Sequence, residues 1–337
     1  MSTGPKSRAY SRLVSLNSLV ARLPYPSRSV QKAVGIAAVV AQAGIGVTGS
    51  VVRVTGSGLG CATWPQCQPG SMVPVSHDEL HAVTQWIEFS NRLLTGVVIA
   101  VAAIAVITAW RVHVDHPRKR LLALAWTMPG GVVLQAVVGG MTVLAKLEWW
   151  TVAIHFLVST PLVWLAVLLL HGFVEGDEPP RWLVPPLART LLVVLTVAMW
   201  AVLVAGTTVT GAGPHGGDPE THRLDAPIET LARVHSGLLV VYLLVLAVVG
   251  LTLLRAGAPK RLWRRYGLVW LVAVAQGILG LVQYALGVPE ALVSLHVLGS
   301  ALVIISTAAL WCGARDRGAP VPRANSPEQA GELTAAG

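Results

Sequence analysis

Apolar residues run through this chain in long blocks separated by short polar stretches. A membrane-spanning helix needs about 20 consecutive apolar residues. Eight blocks reach or approach that length: about 33–52, 87–110, 121–145, 150–171, 189–210, 231–254, 266–287 and 291–313. The pattern predicts an all-α polytopic membrane protein with eight transmembrane helices. Pro129 and Pro161 fall inside two of the blocks and are expected to kink those helices locally.

Composition agrees with the blocks. The chain is 54% hydrophobic and 12% charged, against about 25% charged residues in a soluble domain. The net charge of +9 does not describe a nucleic-acid face, because the basic residues sit between the apolar blocks. Lys6, Arg8, Arg12, Arg22, Arg28 and Lys32 precede the first block. The loops 111–120 and 255–265 carry four and five more, and Arg315, Arg317 and Arg323 follow the last block. All fall on one side of an eight-helix chain, so both termini are expected in the cytoplasm. The N-terminal stretch shows no cleavable signal pattern.

The two halves resemble each other. Gln135-Ala-Val-Val-Gly139 is echoed by Gln276-Gly-Ile-Leu-Gly280, and His155 and His296 each follow their glutamine by 20 residues. Val54-Thr-Gly-Ser-Gly58 is echoed by Val209-Thr-Gly-Ala-Gly213, and Asn91 falls where His235 falls. An even number of helices per repeat keeps both halves in one orientation, related by an axis along the membrane normal. The expected organisation is a basic tail over 1–32, a four-helix repeat over 33–172, a second over 187–313, and a tail over 314–337. The fold is two pseudo-symmetric four-helix bundles.

Candidate chemistry sits near one interface. Glu88 and Arg92 open the second apolar block, and Asn91 lies between them on the same helix face. An ion pair there is expensive in a membrane and is either an interfacial pair that snorkels or a functional one. Each of His155, His235 and His296 is embedded in an apolar run, about one turn inside the outer end of an even-numbered helix. One such histidine is more simply a packed side chain; three at one depth point to a cofactor site built on facing helices. His235 and His296 could hold one haem iron from both faces, a closed site suited to electron transfer. In the first half the matching pair is Asn91 and His155. Asparagine is a poor iron ligand, so a haem there would keep a weak or open position, as oxygen chemistry requires. Glu88 would lie near the porphyrin, able to relay protons or stabilise positive charge. Arg92 could pair with Glu88 or with a haem propionate.

The remaining histidines carry less. His77 and His81 have helical metal-ligand spacing within a polar loop, and His171 reads as an interfacial residue. Cys61 and Cys67 lie in the long outer loop, where disulfides persist; a structural staple and a reversible thiol pair both stay open. Cys312 reads as a small apolar residue.

These residues together resemble the haem A synthase family. The likeness rests on eight helices in two pseudo-repeats, on Arg53-Val-Thr-Gly-Ser-Gly-Leu59, on the cysteine pair and on Glu88 with Arg92. His155, His235 and His296 complete it, and the likeness runs from about residue 33 to 313. It implies oxidation of a methyl group of haem O to a formyl group, giving haem A for cytochrome oxidase. It implies Glu88 as a functional acid, His155 as a substrate-haem ligand, and His235 and His296 as ligands of a haem b that feeds electrons. It also implies a haem O synthase and an electron donor as membrane partners, a plasma-membrane location, and a proposed redox role for Cys61 and Cys67. Many members carry histidine where this chain has Asn91. The second half also lacks the cysteine pair that some members carry in the third outer loop. The rival readings are a bis-His cytochrome b, which has no need of Glu88, and a transporter, which would place its charges nearer the midplane.

Overall fold

The computed structural model describes residues 16–75 and 79–320, with side chains from Ala82 onward in the second of these stretches. It is built of eight long helices: α1 (Arg28–Val54), α2 (Glu79–Asp115), α3 (Lys119–Leu144), α4 (Trp149–Val174), α5 (Pro186–Ala212), α6 (Ile228–Arg255), α7 (Lys260–Ala285) and α8 (Glu290–Gly313). All eight are long and apolar enough to cross a membrane. The chain is a multi-pass membrane protein. The short strands β1 (Arg181–Trp182) and β2 (Arg315–Asp316) pair antiparallel, tying the linker between the halves to the end of α8.

Prolines punctuate the second half. Pro185, Pro227, Pro259 and Pro289 hold the N-cap positions of α5 to α8 in extended conformation. Proline sets φ for a helix start and gives up only an N–H that the first turn cannot use. α1 instead begins after Ser27, whose hydroxyl accepts from Val30 N. Both α3 and α4 continue through their internal prolines.

The helices exceed the apolar blocks, because polar and amphipathic residues extend them beyond the hydrocarbon core. The largest difference is in α2, expected from residue 87 but starting at Glu79. Residues 79–87 contain neither Gly nor Pro, so nothing stops the helix there. Glu88 therefore stands more than two turns inside α2 rather than at its mouth, and the first outer loop is correspondingly shorter. α1 likewise starts at Arg28, taking in residues assigned to the tail, and residues 16–21 form a helical turn before it.

The turns after α3 and after α7 share one backbone pattern. Lys146 and Leu147 have φ of 52° and 59°, and Gly287 and Val288 have φ of 75° and 63°. Leu147 N bonds Thr142 O and Val288 N bonds Gln283 O; Lys146 N bonds Val143 O and Gly287 N bonds Tyr284 O. Each pair is separated in sequence by as much as Gln135 is from Gln276. Helix packing follows the same exchange. α1 packs on α2 as α5 does on α6, α3 on α4 as α7 on α8, and α1 meets α8 as α5 meets α4. The halves differ in tightness. In the first, α1 closes against α4 and α2 against α3. In the second, α5 barely meets α8 and α6 barely meets α7, leaving two hairpins set apart.

Two apolar cores fill this frame. One gathers Ala105, Ala109, Leu121, Met128 and Phe173 in the first half. The other gathers Leu195, Met199, Tyr242, Leu246 and Leu253 in the second. Small residues in the first core let its helices approach closely, as membrane bundles require.

Candidate functional site

The ion pair at α2 is a clamp on the loop between α1 and α2. Glu88 is 5% exposed. Its Oε2 accepts from Cys61 N at 2.6 Å, and its Oε1 accepts from Arg92 Nη2 at 2.5 Å and Nε at 3.1 Å. Arg92 also donates to three carbonyls of the same loop: Cys61 O at 3.0 Å, Thr63 O at 2.9 Å and Gln66 O at 3.2 Å. A planar fork with several donors suits this work; a lysine could not span it. Cys61 and Cys67 are joined in a disulfide that closes the loop, and both are buried. Trp64 lies across Gly140 of α3, and Gly60 rests on the α2 backbone at Thr84, where any Cβ would collide. Arg92 pairs with Glu88, one of the two partners that the sequence left open to it. The loop residues Thr63 and Gln66 were not foreseeable, since they contribute only backbone oxygens.

Asn91 faces another way. Its Oδ1 accepts from Thr48 of α1 at 2.7 Å. It lines an apolar cleft of about 540 Å³ between α1 and α2, with Val51, Val83, Trp86, Ile87 and Leu94. Among the described residues no hydrogen bond joins Asn91 to His155. The ring of His155 packs on Gly139 of α3, and its Nδ1 is buried with no partner.

In the second half His235 and His296 come together. Their ring centroids are 6.4 Å apart and their planes cross at 63°, so the rings do not stack. Two imidazole–metal bonds of about 2 Å, plus about 1 Å from each nitrogen to its ring centre, give about 6 Å. The spacing therefore fits one iron held from both sides. His235 Nδ1 lies 3.0 Å from Val202 O. Only a protonated nitrogen can donate to a carbonyl, so Nε2 keeps its lone pair free for a metal. His296 Nδ1 is buried without a partner.

Glycines make room for all three rings. A Cβ on Gly139, Gly206 or Gly280 would stand 3.0, 3.1 and 3.0 Å from Cε1 of His155, His235 and His296. Gly139 and Gly280 close the two repeated glutamine motifs, so the sequence marked them; Gly206 carried no such mark. The fixed Gln-to-His interval also has a physical meaning. Gln276 Nε2 donates to His296 O at 2.8 Å. Gln135 reaches the matching carbonyl through Ser159, by bonds of 3.0 and 2.8 Å. The helix pairs that carry these residues, α2 with α4 and α6 with α8, scarcely touch. Facing helices that stand apart, glycine shelves and imidazoles with unused nitrogens fit a flat, metal-bearing ligand such as haem.

His77 lies outside the described residues, as does the side chain of His81. His171 lies in the last turn of α4, at the opposite end of that helix from His155. The loops at the His155 end of the bundle are tied together across the halves. Gly58 N donates to Gly217 O at 2.8 Å, Arg53 to His215 O at 3.0 Å, and His215 Nε2 lies 2.7 Å from Val288 O.

Comparison with known proteins reaches the first half of the chain and the start of the second. Residues 32–214 match the COX15-CtaA family, described as cytochrome oxidase assembly protein. Proteins named heme A synthase from Staphylococcus aureus strains JH9 and Newman are 26% identical to this chain over 182 residues. That stretch is 53% of this chain and 58% of each relative. The chain thus matches less than two thirds of those relatives' length. With the family match spanning more than half of its residues, the chain belongs to the COX15-CtaA family of cytochrome oxidase assembly proteins.

Proposed function

We propose that this protein is a haem A synthase, oxidising a methyl group of haem O to the formyl group of haem A for cytochrome oxidase. The observation that carries the reading is the inequality of the two halves. His235 and His296 face each other at the spacing of a closed bis-imidazole site. The equivalent position to His235 in the first half is Asn91, which leaves His155 as the one strong ligand there. In this reading the second half holds haem b and the first receives haem O. A bound haem b supplies one-electron transfer. The protein's part is to hold it with His235 and His296, fix the tautomer of His235 through Val202 and bury it between α6 and α8.

Glu88 is the acid nearest Asn91 along α2 and is held by Arg92 and Cys61 N. In the proposed reaction it holds a proton or offsets positive charge beside the substrate, which requires one of its present bonds to be shared or released. The cleft at Asn91 opens between α1 and α2, a route by which an apolar substrate could arrive from the bilayer. A haem O synthase and a membrane electron donor are the implied partners. The basic loops put both termini in the cytoplasm of a cell whose plasma membrane holds the protein.

The test is haem extraction and chromatography from cells making haem O, with and without this protein. Haem A or a hydroxylated haem O that appears only with the protein supports the reading. Unchanged haem O beside a bis-His spectrum, with an electron donor present, favours a cytochrome b-type electron carrier, which the His235–His296 pair would equally serve.

A further inference from the structure

The end of the bundle opposite the haem-type residues holds a second built cluster, at the seam between the halves. Arg118, at the start of α3, is 6% exposed. Its Nη2 donates to Gly172 O at 2.8 Å, to Glu175 O at 2.5 Å and to Asp177 Oδ1 at 2.9 Å, while its Nη1 is buried with no acceptor. Arg120 pairs with Glu175 at 3.1 Å. Arg315 and Arg317 follow α8, are partly buried, and each has a buried Nε without an acceptor. Arg265 of α7 lies over Gly313 and donates to Ala309 O at 2.6 Å.

His171 sits among these groups, with the guanidiniums of Arg265, Arg261, Arg315 and Arg120 acting on it. Glu175 and Asp177 are the carboxylates inside the cluster, and both are already paired. Asp316 pairs with Arg181 at 3.5 Å, and Glu178 stands at the exposed rim over Gly318. Asp177 Oδ2, also without a donor, answers at most one of the three orphaned N–H groups.

The need for basic residues on one side of a membrane explains how many arginines lie here. It does not explain why Arg118 is buried, or why Arg118, Arg315 and Arg317 each keep a buried donor unused, since exposed residues such as Arg255 and Arg22 serve that need. A buried donor without an acceptor is costly, and guanidinium forks match the oxygens of a phosphate. Basic pockets between helices at headgroup depth are where anionic lipid headgroups bind.

We propose that Arg118, Arg120, Arg265, Arg315 and Arg317 form a phosphate-binding site whose occupant is the headgroup of an anionic phospholipid. Bound there, the phosphate joins the start of α3 and the end of α4 to α7 and the segment after α8, and so locks one half to the other.

The test uses the purified full chain in detergent, incubated with phosphatidylglycerol or phosphatidylcholine and read by native mass spectrometry. Phosphatidylglycerol is expected to stay bound and phosphatidylcholine to be lost. The Arg315→Gln/Arg317→Gln pair is expected to cut retention at least about tenfold, the scale of losing charge-assisted hydrogen bonds. Arg255→Gln, which removes an exposed charge from the same side, should leave retention unchanged. A parallel thermal unfolding series compares inorganic phosphate with chloride at equal ionic strength. Stabilisation by phosphate alone supports the site with a soluble phosphate as occupant; retention of phosphatidylglycerol unaffected by added phosphate supports the lipid. Equal loss in Arg255→Gln and the paired variant overturns the proposal. So does the absence of any preference for phosphatidylglycerol or for phosphate in the wild-type chain, a comparison that needs no variant.

Discussion

Glu88 and Arg92 share one tight network, and their substitutions separate its chemistry from its structure. Glu88→Gln keeps an acceptor for Cys61 N but loses the charge opposite Arg92. The helix content should survive, because Arg92 retains three loop carbonyls. Formyl production in cells making haem O should fall at least about tenfold, within the range of losing an acid–base group; full production by this variant would remove Glu88 from the mechanism. The glycine shelves make a second residue-level prediction. Gly280→Leu places side-chain atoms where the His296 ring now lies, at an overpacking cost of about 1–3 kcal/mol. The absorption spectrum of the purified variant should lose its low-spin haem bands while circular dichroism stays helical. Much of this was legible: Glu88, Arg92 and the three histidines stood out as polar groups in apolar runs. Arg92's attachment to the loop did not, because Cys61, Thr63 and Gln66 act through backbone atoms that any residue would offer.

The loop between α1 and α2 is held from three directions. The disulfide closes it, Arg92 collects its carbonyls, and Trp64 packs on Gly140 of α3. Arg92→Lys preserves the charge but cannot reach Glu88 and three carbonyls together. Limited proteolysis should then cut the loop faster than in the wild type, with the transmembrane bundle intact; unchanged cleavage would show that the disulfide and Trp64 suffice. The helices themselves were readable from length and apolarity, which is the strongest constraint a bilayer imposes. Their ends were less so. α2 runs back to Glu79 because its first turns have no breaker, and hydropathy does not register a helix outside the hydrocarbon. The turn shared by residues 146–147 and 287–288 could not be read either, since Lys146, Leu147 and Val288 are not residues that announce left-handed backbone.

Across the whole molecule one plan is used twice with unequal results. Packing pairs map from half to half, yet the first half is a closed ring of helices and the second is two hairpins set apart. The separation lies where His235 and His296 face each other, while in the first half a cleft lies beside Asn91. Loops bind the halves at one end through Gly58, Arg53 and His215, and the paired strands bind them at the other. The matched Gln-to-His intervals were visible in the sequence, while the difference in tightness was not, because no single motif reports which helices pack closely. The division of labour is tested most directly by the reduced-minus-oxidised absorption spectrum of the purified protein with His155→Ala beside His296→Ala. The bis-His low-spin bands are expected to persist in His155→Ala and to disappear in His296→Ala. Loss of those bands in His155→Ala, or their survival in His296→Ala, would contradict the assignment of the closed site to the second half.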